Sequence, residues 1–77
     1  MRNQLIPMKH YTFRDTLPAR SDASIKDIGF KPAHMVVITQ APKNTMRIEK
    51  RGPWSEKQVG IFNPNSVEVK AEIKFYG

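Results

Sequence analysis

Cysteine is absent from this chain, so neither a disulfide nor a thiolate metal site can staple its fold. Histidine occurs only as His10 and His34, which lack the spacing of a metal-ligand pair. The four glycines are scattered and form no phosphate-cradling loop. Long apolar runs are missing as well. No stretch approaches the ~20 apolar residues of a membrane span, and the opening MRNQLIPMKH has no signal-peptide core. Acidic residues are few, 7 against 13 Lys and Arg, for a net charge of +6. That balance favours contact with nucleic acid, an anionic surface or an acidic protein. The apolar fraction, 39%, falls below the ~45–50% usual in globular chains. A single domain of 77 residues hides a smaller fraction of its surface than a large one, and without staples it needs tight packing or a partner subunit. No cofactor and no membrane contact are expected, and the expected setting is the cytoplasm or a particle assembled there.

What the chain does have is patterned hydrophobicity. Residues 1–32 hold Pro7, Pro18 and Pro32, with isolated hydrophobes between them and no sustained period. HYTF, residues 10–13, is a short strand candidate; Ser21 to Ile28 has capping residues and a three-residue spacing suited to one helical turn. This region reads as an extended N-terminal arm with local elements, and its hydrophobes read as anchors. Residues 33–77 read as a β core. MVVITQ (35–40) and TMRIEK (45–50) suggest a hairpin across the turn APKN. Gly52 and Pro53 break the second strand. QVGIFN (58–63) suggests a third strand, with Gly60 marking a bulge or close backbone approach. After the turn NPNS, Val67, Val69, Ala71, Ile73 and Phe75 alternate with charged or polar residues up to Tyr76. Such a strand has one apolar face, and its backbone edge is expected to be open to another chain. The expected fold is all-β, a small antiparallel sandwich or partly open barrel with an extended N-terminal arm.

Catalysis finds no support in these residues. His10 and His34 are lone histidines of the kind that usually pack or hydrogen-bond, and Glu68 and Glu72 are interleaved with Lys70 and Lys74, a pattern of surface ion pairs. Lys43, Arg47, Lys50 and Arg51 surround the single Trp54, a combination that can neutralise phosphates and stack on a base. The alternative role for Trp54 is a plug over the open end of the core.

The proline-punctuated arm, the strand–turn–strand core and the ending VGIFNPNSVEVKAEIKFYG resemble small all-β virion proteins of tailed bacteriophages, the capsid decoration or stabilising subunits. The resemblance implies a non-enzymatic subunit, present in many copies and bound to a major capsid or other virion protein. The expected contacts are then Leu5, Ile6, Tyr11, Phe13 and Leu17 of the arm, filling grooves on neighbours. On that reading, deleting residues 1–20 leaves the core folded. Two other functions remain open: a small nucleic-acid-binding module using Lys43, Arg47, Lys50, Arg51 and Trp54, and a phage-encoded inhibitor of a host protein.

Overall fold

The computed structural model describes residues 9–77, and they contain six strands and no helix. These are β1 (His10–Leu17), β2 (Asp22–Lys26), β3 (His34–Ala41), β4 (Glu49–Arg51), β5 (Gln58–Phe62) and β6 (Val69–Tyr76). They form two three-stranded antiparallel sheets, β1-β6-β3 and β2-β5-β4, which do not close into a barrel. The all-β antiparallel sandwich expected from the sequence is therefore the fold.

The strand order has a simple origin. Three long segments, residues 10–26, 34–51 and 58–76, lie side by side with the third in the middle, and all three bend halfway. Each segment contributes one strand to each sheet. In the second and third segments the pairing Ala41↔Lys70 resumes as Glu49↔Phe62, so both chains cross the bend with equal numbers of residues. In the first, Leu17↔Val69 resumes as Asp22↔Phe62, which leaves two more residues on the central segment.

Folding one sheet over on itself requires a continuous apolar face on the concave side, and the central segment supplies it. Val59, Ile61, Asn63, Asn65, Val69, Ala71, Ile73 and Phe75 are all buried, in strict alternation interrupted only by Val67. Leu17, Ile25, Ile48 and Trp54 complete the core from the other segments, with Phe13, Ala23, Ile28, Met35 and Val37 packed against it.

Three expectations are corrected here. Residues 10–26 are not an arm: β1 is the neighbour of β6 and β2 the neighbour of β5, so the division at residue 32 separates nothing. The helical turn at 21–28 is replaced by β2, whose Ala23 and Ile25 follow a two-residue period. A single turn cannot hold itself, whereas the ladder with β5 satisfies the same backbone. The hairpin of 35–40 with 45–50 does not form either. β3 pairs with β6 and β4 with β5, because residues 42–48 carry the chain around the bend instead of reversing it.

Candidate interaction surface

At the bend, two asparagines do what apolar side chains cannot. Asn63 Nδ2 donates to the carbonyls of Leu17 (3.2 Å), Pro18 (2.9 Å) and Val67 (3.0 Å). Its Oδ1 accepts from the backbone N–H (3.0 Å) and the side-chain Nδ2 (2.9 Å) of Asn65. Asn65 in turn accepts from the Met46 N–H and donates to the Met46 carbonyl, each at 2.7 Å. Both side chains are buried, and among the described residues no buried side-chain nitrogen or oxygen lacks a partner. Gln40 braces the second segment in the same way, donating to Thr45 Oγ1 (2.8 Å) and the Met46 carbonyl (2.6 Å) and accepting from the Ile48 N–H (3.2 Å). The sequence marks 63–66 as a turn but does not reveal that its asparagines join all three segments.

This frame disperses the residues expected to act together. Trp54 is 6% exposed, set edge-on to Phe75 with ring centroids 5.5 Å apart, and its Nε1 donates to the Gly60 carbonyl at 3.0 Å. It is the core plug and has no free face for a base. Lys50 Nζ lies 4.5 Å from the centre of that same indole. The Arg51 guanidinium lies 4.1 Å from the Phe62 ring and its Nε 3.2 Å from Asp22 Oδ1, so it is engaged within sheet β2-β5-β4. Lys43 and Arg47 are exposed and, with Val37, Ile38 and Thr39, line a shallow cavity of about 210 Å³ beside the bend.

The expected arm residues are likewise redistributed. Leu5 and Ile6 lie outside the described residues. Tyr11, Phe13 and Leu17 stand opposite Phe75, Ile73 and Val69 on β1; Leu17 is buried, Phe13 half-buried and Tyr11 more open. The second and third of these anchor the chain to its own core. The edge expected on β6 is closed, because β1 and β3 flank it on both sides.

The open edges are elsewhere, and they differ in kind. Among the described residues, β1, β2, β3 and β4 each have one side without a paired strand. On β1 that edge carries Arg14 and Asp15, on β2 Asp22 and Lys26, and β4 is three charged residues long. Charge, shortness and bulges are the usual devices that stop an edge from adding a foreign strand. β3 has neither charge nor shortness: its eight residues HMVVITQA contain no Asp, Glu, Lys or Arg, and Val36 and Ile38 are 41% and 46% exposed. Its one device is a bulge at Ile38, which leaves His34–Val37 as a regular stretch of edge.

The outer face of sheet β1-β6-β3 carries a second grouping. His10, Tyr76 and His34 occupy one row across the three strands. The His34 ring stacks on Tyr76 with centroids 5.4 Å apart and planes at 21°, and the His10 ring lies tilted on the other side at 6.3 Å. Two rows along the sheet, Arg14 pairs with Glu72 at 3.1 Å. Among the described residues no three His, Cys, Asp or Glu converge as metal ligands would. Comparison with protein families, with curated proteins and with solved structures finds no match.

Proposed function

We propose that this protein is a non-enzymatic structural subunit that attaches to a larger assembly by accepting an extended segment of a partner along β3. The carrying observation is the contrast among the four open edges of the described residues: three are short or charged, and β3 alone among them is long and uncharged, with two exposed β-branched side chains. Strand addition supplies main-chain hydrogen bonds, while Val36 and Ile38 supply the side-chain contacts. Each added ladder bond contributes ~0.5–1.5 kcal/mol net, and burying the exposed part of each side chain adds about 1 kcal/mol. Ordering the partner segment costs roughly 1–2 kcal/mol per residue, which nearly cancels these gains. One such contact is weak. Many copies on a repeating surface convert it into stable attachment, and a surplus of Lys and Arg favours an acidic lattice. Such a repeating surface is what the resemblance to phage decoration subunits implies, with a major capsid or other virion protein as the partner.

The test is cosedimentation with high-molecular-mass particles from the native source. Wild-type protein is expected in the particle fraction, and Ile38→Lys is expected to be lost from it while keeping the buried-tryptophan emission of a folded chain. An Ile38→Lys protein that cosediments like the wild type, or a wild type found only free, refutes the proposal.

A further inference from the structure

The aromatic row on sheet β1-β6-β3 sits at an end of the sheet where Asp and Glu side chains are missing. No Asp or Glu occurs in residues 9–13, 31–37 or 73–77, which together make up that end. Lys31 is exposed there, two residues before Ala33, whose N–H donates to the Tyr76 carbonyl; Lys9, whose carbonyl accepts from the Gly77 N–H, is exposed but projects to the opposite face. Lys74 stands in the next row beside the aromatic one, between Thr12 and Val36. The nearest acid on this face, Glu72, is already held by Arg14. Three planar rings in line on a β-sheet, with Lys31 and Lys74 beside them, have the two parts needed to hold unpaired bases and their phosphates.

We infer that this end of the sheet is a binding site for single-stranded nucleic acid, with the row of His10, Tyr76 and His34 as the stacking surface and Lys31 and Lys74 facing phosphates. The site is separate from the basic stretch around Trp54, whose indole is buried. It is also compatible with strand addition on β3, since a base approaches perpendicular to the sheet and a partner strand approaches in its plane. A duplex fits poorly, because its bases are already stacked and the face offers no helix or loop to enter a groove.

The test is fluorescence anisotropy of a labelled 12-mer of deoxythymidylate at 50 to 200 mM NaCl. Binding is expected with a slope of log K against log salt of about −1.4, from two phosphate contacts on a single strand. Tyr76→Ser is expected to raise Kd roughly tenfold or more, whereas Tyr76→Phe retains most of the affinity. Should Tyr76→Ser lose the folded emission of Trp54, the double variant His10→Ala/His34→Ala, at two exposed positions, is to show the same weakening. Lys43→Ala/Arg47→Ala is expected to leave binding unchanged. No binding at 50 mM salt overturns the inference. So does loss of binding in Lys43→Ala/Arg47→Ala alone, equal affinity for a duplex, or equal affinity for polyglutamate that is indifferent to Tyr76→Ser.

Discussion

Replacing Asn63 with Ala withdraws one amide from five hydrogen-bonding groups at once. The two Nδ2 protons are shared among the carbonyls of Leu17, Pro18 and Val67, and the lost Oδ1 leaves the Asn65 N–H and Nδ2 short of an acceptor. Pro18 and Val67 are exposed, so water can replace the bonds to their carbonyls; Leu17 and Asn65 are buried and have less recourse. A buried group left unpaired costs ~1–3 kcal/mol, and two such sites give a loss of about 2–6 kcal/mol. Against a domain stability of ~5–15 kcal/mol that is a large fraction. With ~4–8 °C per kcal/mol for a domain of this size, the melting temperature falls by roughly 10–50 °C. Asn63→Asp has the same shape but turns a second oxygen, and a charge, toward three carbonyls, so it is expected to lose more than the alanine variant. Asn44→Ala, in the exposed loop after β3, serves as control and stays within about 0.5 kcal/mol. The assay is urea unfolding followed by Trp54 emission, comparing midpoints at constant slope. An Asn63→Ala protein within 1 kcal/mol of wild type, or an Asn63→Asp protein more stable than it, shows that the bend is solvated and refutes this reasoning.

Two further outcomes are expected. A Cβ at Gly60 falls 2.7 Å from the Arg51 carbonyl oxygen, a backbone atom of the neighbouring strand, so Gly60→Ala must push β4 away from β5. A loss of about 1–3 kcal/mol in a thermal melt is expected, and an unchanged melt contradicts the close approach. Deleting residues 1–20 removes all of β1, including the buried Leu17, and uncovers one side of β6. The truncated chain is expected to lack cooperative unfolding; a sharp transition with a native circular dichroism spectrum counts against the shared core.

How much of this fold can be read in the sequence follows from how local each signal is. β5 and β6 are legible because Val59, Ile61, Val69, Ala71, Ile73 and Phe75 alternate cleanly, and Gly60 announces the tight contact it makes. β1 is harder to see: Asp15 falls on the face shared by Phe13 and Leu17, and its partner lies some sixty positions away at Val69–Tyr76. The prolines mislead in one sense and inform in another. Pro18, Pro32, Pro42, Pro53 and Pro64 all lie between strands, so they mark connections and not an irregular arm. No local feature distinguishes residues 42–48 as a bend from a reversal. The candidate surfaces show the same limit. Trp54 with four basic neighbours looks like a nucleic-acid site in one dimension, whereas the row of His10, His34 and Tyr76 exists only once β1 and β3 flank β6.

The bent three-segment arrangement also fixes the order in which the protein can acquire structure. Apart from the β4–β5 hairpin, each ladder joins residues far apart in the chain, with His10 reaching Tyr76 and His34 reaching the same residue. During synthesis β1, β2 and β3 emerge with no partner among themselves, since all three dock on the segment 58–76, which follows them. Loop closure must be completed before these contacts contribute, so folding belongs with the slow, non-local β topologies of milliseconds to seconds. Until residues 69–76 have left the ribosome, the uncharged β3 has both backbone edges exposed. A nascent chain of this design gains from whatever covers that strand early.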